Sequence, residues 1–272
     1  MSSSEIVKLL GNLEKRLDEI APLAIAVSGG IDSMLLAYIA NRTLGIKTHM
    51  YHAQSPAVPK DAITRIKKYA KQEQWRLTLI DAKEFTDTNY ISNPVNRCYF
   101  CKSNLYHEIG KLTDSTMASG TNTDDLNDYR PGLIAAKENR VCHPYVDVGI
   151  SKQNIREIAN YFSLFDISDL PASPCLSSRV ETGINIDPEK LSIIDEIECT
   201  VRKLVSAKNV RFRIMGSGAS VEIDKSILMS LTNEIKNNLL LIVDSKLKQG
   251  GYQYTLNIAP YNMGSAFRRF TK

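Results

Sequence analysis

Residues 28–33 read Ser-Gly-Gly-Ile-Asp-Ser, directly after the apolar run 23–27 and directly before a helical pattern. The types in this string could hold a phosphate. Two adjacent glycines, Gly29 and Gly30, let the backbone turn sharply and bring N–H groups close to a ligand. The helix N-terminus that follows adds free N–H donors and positive partial charge. Ser28 and Ser33 add hydroxyls, so the stretch makes a cradle suited to pyrophosphate. Asp32 would repel a bare phosphate, but it fits if it holds a Mg²⁺ that bridges phosphate oxygens. The lysine of the Gly-rich P-loop and the spaced glycines of dinucleotide binders are both missing from the string. The competing reading is a plain Gly turn capped by Ser or Asp. The whole string in its strand–helix setting favours the ligand.

Cys98 and Cys101 form one C-x-x-C in Arg97-Cys98-Tyr99-Phe100-Cys101-Lys102, and Cys175 stands in Pro174-Cys175-Leu176-Ser177-Ser178-Arg179. A lone C-x-x-C can be two packed thiols on a helix turn. No second C-x-x-C completes a four-cysteine zinc site, and Cys175 falls in a proline-rich loop rather than on an apolar face. Three thiolates suit a [4Fe–4S] cluster with one open iron able to take sulfide or a thiol. Zinc on three thiolates with water or His143 is the alternative. Cys142 and Cys199 read as packing residues. A third polar stretch, residues 118–133, follows a predicted strand that Gly120 ends in a turn. Asp124, Asp125 and Asp128 could hold Mg²⁺ or position a nucleotide, and Arg130 could pair a carboxylate or phosphate. Solvated Asn/Asp turns look the same in sequence.

The elements that must position these residues follow from periodicity. Ile6, Leu9, Leu10, Leu13 and Leu17 have helical spacing. Predicted strands at 23–27, 47–53, 76–82 and 115–121 alternate with helices at 33–44, 60–73 and 97–112. That alternation predicts an α/β fold with a doubly wound parallel sheet, whose ligands bind at the carboxyl ends of the strands. A helix at 152–162 is followed by a loop at 170–190 with three prolines, read as a functional or hinge loop. Then come a helix at 188–206, short strands at 210–215, 220–224 and 252–260, and a helix at 225–247, an α+β pattern. Two domains are expected, 1–180 for the nucleotide and a smaller 181–272 for substrate binding or oligomerisation.

The 272 residues are 43% apolar and carry a net charge of +4. The charge fits a small anionic ligand and is too weak to argue for nucleic acid. The apolar runs are too short to span a bilayer. The first twenty residues are charged throughout and lack a signal peptide's apolar core. A cytoplasmic chain with reduced thiols is the expectation.

The string SGGIDS resembles the SGGxDS signature of the PP-loop ATP pyrophosphatases, which cleave ATP between its α- and β-phosphates and adenylate a substrate. Taken together, SGGIDS (28–33), RCYFCK (97–102), GTNTDDLNDYRPG (120–132), SKQNIREIA (151–159) and PCLSSR (174–179) resemble the LarE family of ATP-dependent sulfur transferases. The likeness runs well from residue 5 to about residue 190 and more weakly through Arg211, Arg213 and Ser220-Val221-Glu222. It implies nickel-pincer nucleotide synthesis: ATP adenylates a carboxylate of a pyridinium dicarboxylate mononucleotide, and sulfur then makes the thiocarboxylate. ATP and Mg²⁺ would lie on Ser28, Gly29, Gly30, Asp32, Ser33, Gly120 and Asp124. Arg130, Ser178 and Arg179 would bind substrate. Arg211 and Arg213, two apart on a strand and so on one side of it, would clamp its phosphate. Glu222 matches an acidic metal position, and family members carry acidic metal ligands on the helix matching 188–206, at a subunit interface. Glu196 and Glu198 stand on that helix here with the register offset by about two residues, and a homo-oligomer is implied. Some members use one sacrificial cysteine at the position of Cys175, which ends as dehydroalanine. Others hold a [4Fe–4S] cluster on cysteines at the positions of Cys98, Cys101 and Cys175, and this sequence has all three. No motif specifies the sulfur donor.

Three other readings compete. A PP-loop tRNA thiolation enzyme should show a zinc ribbon or a strongly basic region, and this sequence shows neither, so no nucleic-acid partner is expected. An amide-forming synthetase needs no cysteine triad. An ATP-binding sensor would use the cysteines for packing alone.

Overall fold

The computed structural model describes residues 1–127 and 129–262. In chain order its first helices are α1 (Ser3–Glu19), α2 (Ile31–Leu44), α3 (Lys60–Gln72), α4 (Thr88–Ile91), α5 (Arg97–Gly110) and α6 (Pro131–Glu138). They are followed by α7 (Pro144–Asp147), α8 (Lys152–Tyr161), α9 (Phe165–Ser168), α10 (Pro188–Val205), α11 (Lys225–Ser230) and α12 (Asn233–Gln249). By contacts the chain divides into two compact units, Met1–Glu84 with Cys98–Ser173, and Phe85–Arg97 with the chain from Pro174 onward.

The first unit is an α/β layer structure. Strands β1 (Leu23–Ala26), β2 (Thr48–Ala53), β3 (Leu77–Ile80) and β4 (Thr116–Ser119) are all parallel, in the order β3-β2-β1-β4. The chain runs outward from β1 through β2 to β3, then returns to place β4 on the other side of β1. This reversal makes a switch point between the carboxyl ends of β1 and β4, where the loops part and a ligand fits. Every residue of β1 is buried, as expected of a strand covered on both faces. One core joins Leu13 and Leu17 of α1 to Leu23 and Ile25 of β1, Met34, Leu35 and Leu36 of α2, and Ile155 and Ile158 of α8. The other face packs Ala24 and Ala26 against Tyr51, Tyr106 and Ile109. Helix α1 starts on a capping box in which Ser2 accepts from the Glu5 N–H and the Glu5 side chain accepts from the Ser2 N–H.

The second unit carries a mixed three-stranded sheet. Strands β5 (Val210–Met215) and β6 (Gly218–Ile223) are antiparallel, and β7 (Leu256–Pro260) is parallel to β6. Helix α10 packs on β5, and α12 packs on α10 and β7. The helix expected at 225–247 is two helices. Thr232 is extended and its hydroxyl accepts from the Ile235 N–H at 3.2 Å, so it starts α12 as an N-cap instead of continuing α11.

The contact-based units divide between Ser173 and Pro174, and residues 85–97 go with the second. Buried Asn93 explains that assignment. Its backbone is left-handed, φ +54°, which Asn tolerates better than most residues. Its side-chain amide donates to the carbonyls of Glu181 and Ile184, both at 2.9 Å, and of Val180 at 3.3 Å. The stretch expected as a functional or hinge loop is therefore partly pinned. Leu176–Arg179 form a 3-10 turn, and Val180 makes a β-bridge to Ile214.

Candidate nucleotide site and the cysteine-bearing elements

Val27 closes β1, its N–H donating to the Tyr51 carbonyl at 2.9 Å. The chain then turns on Ser28 and Gly29. Gly29 has φ +82°, and a β-carbon on it would lie 2.8 Å from Cβ of Ala62, so only glycine fits. Arg65 on α3 donates to the Gly29 carbonyl at 2.6 Å. The Ser33 hydroxyl accepts from the Ser28 N–H at 3.0 Å and donates to the Gly30 carbonyl at 3.1 Å. Ser33 is buried and staples the turn, whereas Ser28 is exposed with its hydroxyl 3.0 Å from that of Ser33. Gly30 is the N-cap of α2 and offers no side-chain cap. The first-turn N–H groups are thereby left to an anion.

The turn after β4 meets this one at the switch point. A β-carbon on Gly120 would lie 2.7 Å from the carbonyl carbon of Asp32 and 2.7 Å from the Ser33 nitrogen. Asn122, which is buried, donates from Nδ2 to Oδ1 of Asp32 at 3.2 Å. Its own position is set by Asp124, whose N–H donates to its Oδ1 at 3.0 Å, and by Asp125, whose carboxylate accepts its N–H at 3.1 Å. The fully buried Tyr145 donates from its hydroxyl to the Asp32 carbonyl at 3.2 Å, and burial pushes its phenol well up.

Lys152 completes the group. Its Nζ stands 2.6 and 2.5 Å from the two oxygens of Asp32, and its N–H donates to Oδ2 of Asp124 at 2.9 Å. Reading by sequence gave Lys152 no role. A signal was present, because Lys152 directly follows the N-cap Ser151 at the start of α8. A lysine there opposes the positive end of the helix dipole and needs a reason.

The remaining expected residues divide between the units. In the first, Arg130 is half-exposed and pairs with Asp125 at 2.8 Å. His143 has Nδ1 3.0 Å from the Ser119 hydroxyl, and burial holds its pKa below the usual histidine range. Asp128 lies outside the described residues. Cys98 and Cys101 are half-buried on α5. The Cys98 carbonyl would be 3.6 Å, and Cγ of Lys102 3.2 Å, from a β-carbon on Gly132 in α6.

In the second unit Cys175, also half-buried, heads the Leu176–Arg179 turn. Its carbonyl accepts from the Ser178 hydroxyl at 2.8 Å and from Arg179 Nη1 at 3.2 Å. Arg179 is 1% exposed. It makes a forked pair with Glu198 on α10 at 2.8 and 3.0 Å, and Nη1 donates to the Pro174 carbonyl at 2.8 Å. Burial pulls its pKa down and Glu198 more than offsets this, so the guanidinium stays charged. Arg179 here braces the Cys175 turn, and its ion-pair partner Glu198 also accepts the Phe212 N–H at 2.9 Å.

Arg211 and Arg213 are both buried. Arg213 binds Glu222 at 3.1 Å, the Ser178 carbonyl at 2.9 Å and the Asn262 carbonyl at 3.3 Å. Arg211 donates to the Val210 carbonyl at 2.8 Å and lies 5.5 Å from the centre of the Tyr261 ring. Burial lowers its pKa, and neighbouring Arg179 adds to the effect. Glu222, expected near a metal, is the counter-charge of Arg213. Among the described residues no three His, Cys, Asp or Glu side chains gather as a metal site. Cys98 and Cys101 belong to one unit and Cys175 to the other. None of the described helices is long and apolar enough to cross a membrane.

A four-stranded parallel sheet whose switch point carries a double-glycine turn, an acidic residue and a lysine makes this an α/β protein, consistent with a Rossmann-like or PP-loop fold. The chain is 33% identical over 268 residues to the uncharacterized protein slr1717 of Synechocystis, covering 97% of this chain and 98% of that one. It is 30% identical over 234 residues to the uncharacterized protein MJ0830 of Methanocaldococcus jannaschii, covering 85% and 88%. The chain belongs to the family of these two proteins. A more distant homologue, 22% identical over 262 residues and covering 94% of this chain and 92% of its own, is the pyridinium-3,5-bisthiocarboxylic acid mononucleotide synthase of Lactiplantibacillus plantarum. No protein-family model matches the chain.

Proposed function

We propose that this protein is an ATP-dependent sulfur transferase that adenylates a carboxylate of a pyridinium dicarboxylate mononucleotide and converts it to a thiocarboxylate, a step of nickel-pincer nucleotide synthesis. The observation that carries the reading is the meeting of three elements on Asp32: the turn after β1, the turn after β4 through Asn122, and α8 through Lys152. The printed name of the 22%-identical homologue supports the acceptor.

A carboxylate is a poor electrophile until it carries a good leaving group. In the first step a carboxylate oxygen attacks the α-phosphorus of ATP, the bond to the bridging oxygen breaks, and pyrophosphate leaves with the electron pair. The open N–H groups of α2 and the Ser28 hydroxyl face that developing charge, where preorganised donors lower a barrier most. In the second step a sulfur nucleophile attacks the acyl carbon and AMP departs. The Gly120 contact and the uncapped Gly30 suit a phosphate brought hard against backbone. Asp32 is the residue that would hold Mg²⁺, which supplies charge stabilisation for the departing pyrophosphate. Arg211 and Arg213 bind the mononucleotide phosphate in this reading. Arg130, Ser178 and Arg179 place the rest of it, Arg179 by holding the turn that carries Cys175.

The three thiols Cys98, Cys101 and Cys175 are the donor set a [4Fe–4S] cluster with an open iron needs. Cys98 and Cys101 belong to the first unit and Cys175 to the second, and no step is routed through a cluster. In a second form of the same reading, Cys175 alone gives up its sulfur. The assembly into homo-oligomers rests on the family resemblance.

The test combines three measurements on anaerobically purified protein: iron with acid-labile sulfide, ATP-dependent pyrophosphate release with the pyridinium dicarboxylate mononucleotide, and the intact mass after turnover. Pyrophosphate release that needs both substrates supports the reading, and its failure overturns it. Iron and sulfide with an unchanged polypeptide mass identify the cluster form. Loss of one H₂S from the polypeptide, at Cys175, identifies the sacrificial form.

A further inference from the structure

Lys152 sits where electrostatics alone would not put it. It is the first residue of α8, at that helix's positive end. Its ammonium lies on a carboxylate at the start of α2, a second positive helix end. The ammonium thus bears on half-buried Asp32, while the Lys152 N–H at the start of α8 goes to Asp124. The placement is not the chance reach of a loose side chain. The Lys152 N–H is held by Asp124, and Asp124 and Asp125 also fix Asn122, which holds Asp32 from the other side. Both Asp32 oxygens are within 2.6 Å of the same Nζ. A carboxylate gripped this way cannot also take a divalent cation, because the cation would meet the ammonium at contact distance.

We infer that Lys152 is a tethered stand-in cation: it occupies Asp32 while the site is empty, yields the carboxylate to Mg²⁺ when the metal–nucleotide arrives, and turns its ammonium onto the phosphate that leaves. The inference rests on the ATP reading above. Asp124 and Asp125 add two more carboxylates to the same group, so an ammonium displaced from Asp32 needs a new anionic partner, and a triphosphate supplies one. Lysine suits the part, since its charge is a point on a flexible stem with three rotatable donors. Lys152 is then a positioning residue in the empty protein and a binding residue in the loaded one.

The two roles have opposite consequences, and calorimetry reads both. Mn²⁺ alone and the Mg²⁺ complex of α,β-methylene-ATP, which cannot be cleaved between those phosphates, are titrated separately into the full-length wild type, Lys152→Met and Lys152→Arg. In Lys152→Met the competitor for Asp32 is gone, so Mn²⁺ alone should bind roughly tenfold more tightly. The metal–nucleotide should bind roughly tenfold more weakly, since close charge pairs commonly carry at least that factor. Lys152→Arg keeps the charge and should stay near wild type for Mn²⁺ alone. A lysine that merely holds the fold would weaken both, and one without a role would shift neither. Either result overturns the inference. A wild type that binds no metal–nucleotide overturns the ATP reading itself, whereas wild-type binding without the opposed shifts overturns the hand-over alone. Should Lys152→Met fail to fold, the wild type labelled with [¹³C-ε]lysine gives the same answer. The resonance missing from Lys152→Arg should move with metal–nucleotide and stay put with Mg²⁺ alone, and an unmoved resonance overturns the proposal.

Discussion

Gly120 and the Asp32 peptide are in van der Waals contact across the sheet's switch point: the β-carbon that Gly120 lacks would lie 2.7 Å from the Asp32 carbonyl carbon. No rotamer can relieve that contact, because backbone stands on both sides of it. Gly120→Ala should cost about 1–3 kcal/mol, the usual penalty of overpacking. It should also push the β1 and β4 turns apart and weaken nucleotide binding. Thermal unfolding and nucleotide titration of the variant check both, and wild-type values in both would show that the contact is slack.

Asp32→Ala should abolish ATP-dependent pyrophosphate release while the protein stays folded. The loss of metal-assisted charge stabilisation raises the barrier by several kcal/mol. Pyrophosphate release assays beside circular dichroism decide it. A folded variant that forms adenylate at near-normal rate would remove Asp32 from the mechanism.

Single Cys→Ala changes at Cys98, Cys101 and Cys175 should stop sulfur transfer and spare adenylation, whose machinery lies in the first unit's glycine turn. If only Cys175→Ala stops transfer, the sacrificial form holds. Product analysis by mass spectrometry, run with the pyrophosphate assay, separates the outcomes.

Arg211→Ala with Arg213→Ala should raise KM for the mononucleotide much more than KM for ATP. Because Arg213 also balances buried Glu222, the double variant needs a stability control. Glu198→Ala provides a reference for such losses. It strands the buried Arg179 guanidinium, and breaking a buried pair costs about 3–5 kcal/mol. Equal KM effects on both substrates would count against a phosphate clamp.

Stability should fall as pH drops below about 6.5, the unfolded histidine value. His52 is 1% exposed, its Nδ1–H donates to the Val27 carbonyl at 2.8 Å, and its Nε2 has no partner among the described residues. Burial holds its pKa down, and His49 and His143 are lowered by burial as well. A base whose folded pKa is depressed takes its proton preferentially in the unfolded state. Its destabilising effect is therefore absent above the unfolded pKa and grows as pH falls toward the folded one. Denaturant midpoints between pH 7.5 and 5 check this. His52→Asn, which keeps a donor near Nδ1, should flatten part of the slope.

The sequence by itself determined the parallel α/β unit, because strand–helix alternation and buried apolar runs leave few other packings. It also determined the sharp turn at Ser28, Gly29 and Gly30, since a turn of a few residues is fixed by local backbone sterics. What local pattern could not show was partnership over distance. Ser33 looked like a ligand donor and is the staple of its own turn. The ion pairs of Arg179 with Glu198 and of Arg213 with Glu222 were not legible in the sequence, because a charge's partner depends on what folds against it. Residues 85–97 joined the second unit through the three carbonyls that Asn93 gathers from another part of the chain. Lys152 reached Asp32 across 120 positions of sequence. Only the order β3-β2-β1-β4, which sets β4 beside β1 and brings α8 against α2, could decide that meeting, since sequence spacing carries no information about which strand ends become neighbours.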